Sequence, residues 1–152
     1  MNLRQNQKGF TIVELLIVVV VIAILAAISI VAYTGITNRA NRSAAMEAAN
    51  SVKSVASAFQ GANDAWPTSK AQFVSGHNGN AANAIAKLPS DITFVASLTA
   101  GTAPTGGPKS VVVTPQGSPT TGFIISYYDY SNNTVGTMSV GTTGNPQTAL
   151  GN

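Results

Sequence analysis

The sequence predicts an α+β fold, in which a long N-terminal α-helix packs on a small antiparallel sheet of three or four strands. Three observations carry that expectation. Residues 15–32 form an unbroken apolar run with no charged side chain, and Ser29 is its only polar one. The same helical spacing then continues to about Gln60, with apolar residues at steps of three and four. After residue 90, β-branched and aromatic runs alternate with Gly, Pro, Ser and Thr clusters and no helical pattern intervenes.

The apolar run comes first. Its Val18–Val21 stretch is strand-like in isolation, but 18 residues are too many for a buried strand, which rarely exceeds about ten. As a helix rising ~1.5 Å per residue it spans roughly 27 Å, close to the hydrocarbon thickness of a bilayer. A single segment placed in lipid must satisfy its own backbone, which only a helix does. Past Tyr33 the pattern turns amphipathic. Ala45, Ala48, Val52, Val55 and Phe59 fall on one stripe, while Glu47, Asn50, Lys53, Ser54 and Ser57 take the other faces. No Pro or Gly interrupts residues 37–60, and Gly61 with the following Ala-Asn-Asp supplies a stop. The expected helix therefore runs from Phe10 to about Gln60, its stripe docked on a sheet of the same subunit.

Trp66 precedes Pro67 and is expected to be extended, because proline disfavours the α region for its predecessor. Thr68 or Ser69 then caps a short helix reaching about Val74, and residues 81–88 form another ending before Pro89. Strands are expected at residues 92–98 (ITFVASL), 109–114 (KSVVVT), 122–130 (GFIISYYDY) and 134–140 (TVGTMSV). Ser131-Asn132-Asn133 suits a tight hairpin between the last two. The tail from Gly141 lacks an apolar pattern and is expected to be loose.

Charge narrows the partners. Charged residues make up 9% of the chain and the net charge is +3, to which Arg4 and Lys8 contribute. From Tyr33 onward, six basic residues face four acidic ones. A surplus of two leaves little field with which to hold nucleic acid. The chain has no cysteine, so disulfides and thiolate metal ligation are excluded.

The N-terminal segment admits three readings. A secretory signal has a shorter apolar core and a small-residue cleavage site after it, which is absent before Arg39. A plain single-pass anchor fits the length, with Arg4 and Lys8 holding the N-terminus in the cytoplasm and Arg39 and Arg42 weakening that bias. Glu14 favours a third. A carboxylate on the margin of an apolar helix is costly unless it lies at headgroup level or finds a cation. Cleavage after Gly9 would free an amine on Phe10, four residues before Glu14 on the same helical face. The two could pair within one chain or between neighbours.

The stretch KGFTIVELLIVVVVIAILAAISIVAY resembles the N-terminus of type IV prepilins and the related pseudopilins. Gly9, Phe10 and Glu14 match that family's pattern in type and spacing, over residues 1 to about 36. The resemblance implies that a prepilin peptidase, a membrane-embedded aspartyl enzyme, cuts between Gly9 and Phe10 on the cytoplasmic side. It implies N-methylation of Phe10, and pairing of Glu14 with the amine of an adjacent subunit as copies leave the membrane through an assembly platform. The expected segments are then a leader over 1–9, a membrane and filament-core half-helix over 10–36, an amphipathic half over 37–60, and a β-rich head over 61–152. Ala23 and Val31 stand where many relatives carry Gly and Pro, so the helix weakening implied there is not written into this chain.

Nothing else in the sequence reads as chemistry. His77 is a lone histidine between Gly76 and Asn78, and it reads as an exposed loop residue. Asp91 and Asp129 lack the spacing signature of an acid/base pair, and no Asp-rich loop suggests calcium. The glycines of TAGTAPTGGPK lack a phosphate-loop ending. Tyr127, Tyr128 and Tyr130 read as sheet packing and surface. The expectation is therefore a non-enzymatic subunit with no cofactor, metal or catalytic residue. It would be a single-pass cytoplasmic-membrane protein with lipid as its first partner, and then part of a self-assembled type IV pilus or related filament. The alternatives are a pseudopilin of a type II secretion or DNA-uptake system, whose filament is periplasmic or wall-spanning, and an anchored binding domain that never polymerises.

Overall fold

The computed structural model describes residues 9–75 and 87–150. The elements follow one another as α1 (Ile12–Asn63), α2 (Lys70–Ser75), β1 (Thr93–Phe94), β2 (Ser110–Gln116), β3 (Gly122–Asp129) and β4 (Thr134–Gly141). The chain divides into two compact units, one up to Thr37 and the other from Asn38 onward.

In the first unit every side chain from Phe10 to Ile36 is exposed, and the helix is apolar on all sides. Three of its hydroxyls are turned back on the helix itself. Ser29 donates to the Leu25 carbonyl at 2.8 Å, Thr34 to Val31 at 2.9 Å and Thr37 to Tyr33 at 3.1 Å. Each of these three spends its donor on the helix backbone, the arrangement an apolar surrounding demands. By length and composition α1 can cross a membrane.

The second unit is built on the other half of α1. Ala45, Ala48, Ala49, Val52, Val55, Ala56 and Phe59 are buried, at the three-and-four spacing expected of one helical face. Opposite them lie Val111 and Val113 of β2, Phe123 and Ile125 of β3, and Val140 of β4. These positions alternate along each strand, so one sheet face meets the helix. The alanines in the stripe let the helix backbone approach the sheet, and the large side chains come from the sheet and α2.

The helix passes through Gly61 and ends at Asn63, not at Gly61 as the sequence suggests. The terminating residue is Asp64, whose φ is 50° and whose N–H bonds the Gln60 carbonyl at 2.9 Å. Aspartate tolerates this left-handed cap, and Asn63 reinforces it by donating to the Phe59 carbonyl at 2.9 Å. Trp66 leaves the helix and meets Phe123 edge-on. At the start of α2, the Gln72 side chain accepts from the Thr68 and Ser69 N–H groups, as the third helical residue of a capping box does. The helix expected at residues 81–88 falls mostly outside the described residues.

The sheet has four strands in the order β1-β2-β3-β4, and it is mixed rather than wholly antiparallel. Strands β2, β3 and β4 form the expected antiparallel meander, with Val113 opposite Ile125 and Ile125 opposite Met138. β1 differs. It is two residues long, where seven were expected, and pairs parallel with β2. A long connection over residues 95–109 carries the chain back to the same end, and it is tied to the β3–β4 turn by a 2.8 Å bond from Gly101 N–H to the Asn133 carbonyl. That bond, and the left-handed Gly101 and Gly107, divert residues that the β-branched composition assigns to a strand.

β2 runs further than expected, through Pro115 to Gln116. Proline in a strand ordinarily marks an edge. Here the carbonyls of Val111, Val113 and Pro115 all point away from β3, where they accept from Val95, Leu150 and Gln147. The Pro115 nitrogen shares that side, so its missing N–H removes no β2–β3 bond. The acceptors also account for the tail, which is not loose. Gln147 N–H bonds Pro115 at 2.9 Å, Leu150 N–H bonds Val113 at 2.7 Å, and Leu150 packs against the core. Backbone pairing along an otherwise open strand edge holds this segment without any apolar pattern of its own.

Candidate processing and assembly site

The residues singled out by the sequence lie at the start of α1. Gly9, Phe10 and Thr11 precede the first helical turn, and the Gly9–Phe10 peptide bond sits in exposed, non-helical chain. Phe10 is 84% exposed, and the space where a Gly9 side chain would project is empty. Arg4 and Lys8 lie outside the described residues.

Helix α1 begins at Ile12, two residues later than expected, so Phe10 is not on a helical face shared with Glu14. Thr11 stands at the cap, and a reciprocal capping box fixes it there. The Glu14 N–H donates to Thr11 Oγ1 at 3.2 Å. In return, the Thr11 N–H and hydroxyl donate to Glu14 Oε2 at 2.8 and 2.9 Å. The chain therefore starts its helix where it does because Thr-Ile-Val-Glu satisfies the orphan donors of the first turn from both ends. Glu14 also lies in the first turn, where the helix dipole favours negative charge. It is the single charged residue between Phe10 and Asn38.

Thr11 escaped the reading of the residues. The signal was present, since a Thr followed three residues later by Glu ahead of an apolar run is a helix-start signature. It was masked by the strength of the apolar pattern, which draws the helix forward to Phe10.

The acidic residues of the second unit have other partners. Asp129 forms an ion pair with Arg42, Nε to Oδ2 at 3.3 Å, and accepts from the Ser131 N–H at 2.9 Å and Asn132 Nδ2 at 3.1 Å, which pins α1 to the β3–β4 turn. Asp91 accepts Lys109 Nζ at 2.6 Å. The lysine's hydrogen bond holds the Asp91 carboxyl below its ordinary range, and the carboxylate in turn raises Lys109. Tyr127 packs on the helix-side face, while Tyr128 is buried on the other face against Tyr130, whose phenol is pushed up chiefly by burial. Among the described residues no three His, Asp or Glu side chains gather as a metal would require. An open cavity of about 410 Å³ lies between Val74, Leu88 and Phe94, with Lys70 and Lys87 among its lining residues. His77 lies outside the described residues.

Residues 4–30 match the family model of the prokaryotic N-terminal methylation motif. No curated protein and no solved structure matches the chain. The match takes in Gly9, Phe10, Thr11, Glu14 and most of the apolar run, and it supports a type IV pilin-like or pseudopilin precursor. Such a motif suggests a structural protein and implies cleavage by a prepilin peptidase followed by filament assembly. With the apolar helix, it fits a membrane-anchored precursor.

Proposed function

We propose that this chain is the precursor of a structural subunit of a type IV pilus or related surface filament, cleaved between Gly9 and Phe10 and methylated on the new Phe10 amine. One observation carries the reading: the fully exposed apolar stretch of α1 up to Ile36 holds a single charged group, the Glu14 carboxylate in its first turn. An apolar surface of this extent is stable in lipid or against copies of itself, and not in water. Bundling many copies replaces burial in the bilayer by burial against neighbours, so a subunit leaves the membrane without wetting residues 15–32. Glu14 then needs a cation in apolar surroundings, and the Phe10 amine of an adjacent copy supplies one. Arg4 and Lys8 keep the leader on the cytoplasmic side, and the residues from Asn38 onward form the head on the filament's outer surface.

Mass analysis of the N-terminus of the protein from its own host tests this directly. The expected mature chain begins at Phe10 and carries one extra methyl group; a chain that still begins at Met1 overturns the reading. In the same host Gly9→Val should retain the leader and abolish filaments. A pseudopilin shares this chemistry, and imaging of sheared material distinguishes long surface filaments from short envelope-spanning ones.

A further inference from the structure

We propose that the open edge of β4 is a docking strand for a second copy of this chain, which pairs with it antiparallel about Thr137. The inference goes beyond the filament reading and does not depend on it. The two edges of the sheet are treated differently. On the β2 side, Val111, Val113 and Pro115 give their carbonyls to Val95, Leu150 and Gln147, so β1 and the tail close that border. The β4 side has no such cover among the described residues. β3 bonds β2 through Ser126, Ile124 and Gly122, which stand opposite Val112, Thr114 and Gln116. It therefore bonds β4 through Phe123, Ile125, Tyr127 and Asp129, opposite Val140, Met138, Gly136 and Thr134. The intervening Val135, Thr137 and Ser139 turn N–H and C=O away from the sheet, and among the described residues no hydrogen bond reaches them.

A long edge is ordinarily guarded by a lysine, a proline or a bulge. β4 has 8 residues paired in unbroken register with β3, and its sequence TVGTMSVG holds no charge and no proline. In β3 only the terminal Asp129 is charged. That neutrality selects the occupant. A two-fold antiparallel pair sets a central residue against its own counterpart, so a charge there would face its like. With Thr137 at the centre, Val135 of each copy lies opposite Ser139 of the other. Every outward N–H and C=O of these three residues then finds a backbone partner, and the two sheets join into one. A single edge contact is weak, and copies held in an array multiply it.

The experiment uses the full chain in detergent, with micelles in excess so that two apolar helices do not share one. The parent has no cysteine, which leaves introduced ones unambiguous. Two-fold pairing brings the Thr137 Cα atoms to about 5.5 Å, within disulfide reach. Thr137→Cys should therefore cross-link at least about tenfold faster than Ser90→Cys, an equally exposed residue just before β1. Thr137→Lys and Thr137→Glu should each be monomeric by sedimentation, and an equal mixture of the two should regain the dimer. In the parent, hydrogen exchange at the Val135, Thr137 and Ser139 amides should slow as the dimer fills, by about 1 mM for a contact of the smallest class. The cysteine comparison decides the matter even where a charged variant fails to fold. Equal cross-linking at the two sites, a dimer indifferent to charge at position 137, or a mixture of folded variants that stays monomeric overturns the proposal. Slowed exchange at the three amides without a dimer gives the edge to another segment, and overturns the choice of a second copy.

Discussion

Replacing Phe73 by alanine should remove a large part of the head's stability. Phe73 has no exposed surface and sits on α2, a helix of six residues. Isolated helices below about 12 residues are marginal in water, so α2 exists because this ring is buried. The ring meets Phe94 edge-on at 5.4 Å and Phe123 at 5.8 Å, and Phe123 meets Trp66 at 5.9 Å. Phe→Ala truncation in a core costs about 3–5 kcal/mol. The two edge-to-face pairs account for about 1–3 kcal/mol of that, at ~0.5–1.5 each. A domain of this size is stable by about 5–15 kcal/mol, so one substitution takes about a fifth of it or more. Phe73→Leu keeps the apolar bulk and should lose only the ring terms. The assay is urea unfolding of the whole chain in detergent micelles, followed by the fluorescence of Trp66, the single tryptophan. At about 1–3 kcal/mol per molar urea, the Phe73→Ala midpoint should fall by ~1 M or more. A loss under about 1 kcal/mol, or one no larger than that of Phe73→Leu, would refute the claim that this row of rings couples α2 to the sheet.

Four further outcomes are expected. Asp129→Asn removes the charge that pairs with Arg42 and puts an amide where Asn132 donates, and should cost about 1.5–3 kcal/mol by the same urea assay. Arg42→Ala should cost less, ~1 kcal/mol at most, because the arginine is 44% exposed and Asp129 keeps its turn donors. A Cβ added at Gly136 would lie 2.5 Å from Cζ of Tyr127, so Gly136→Ala should push the ring outward and cost about 1 kcal/mol or more in the parent. It should cost almost nothing in a Tyr127→Ala background, and additive losses would show that the contact is absent. Asp91 is held below 3.8 by Lys109, so its ion pair stabilises the fold above the ordinary carboxylate range and is lost as pH falls through the depressed value. At the other end the same pair is lost as pH climbs through the raised Lys109 value, so it acts only between the two titrations. An NMR titration should find the Asp91 midpoint below 3.8 in the parent and higher in Lys109→Met; an unchanged midpoint contradicts the pairing.

Periodicity made the larger parts of the fold legible and left long-range pairing hidden. The length of α1, its change from apolar to amphipathic, and the stripe from Ala45 to Phe59 followed from spacing alone. So did β3, β4 and their turn, where Asn133 adopts a φ of 53° that asparagine tolerates. What failed depended on distant chain. ITFVASL has strand composition, but its pairing with β2 is confined to Thr93, Phe94 and the Val95 N–H, and it is parallel because the intervening loop returns to the same end. Pro115 looks like a strand breaker until the direction of its nitrogen is known. Residues 145–150 owe their order to carbonyls of β2, and their own side chains announce nothing. At the candidate site, Gly9, Phe10 and Glu14 stood out by type and spacing, while Thr11 emerged only with the hydrogen bonds that place it.

The sharing of α1 between the two units has a practical consequence. Seven of its buried side chains, from Ala45 to Phe59, form one wall of the head's interior. A soluble fragment made by trimming at the visible end of the helix, Asn63, would discard that wall and leave a sheet with its greasy side bare. The cut belongs near Asn38, where the second unit begins, so that the fragment carries away its own stretch of rod.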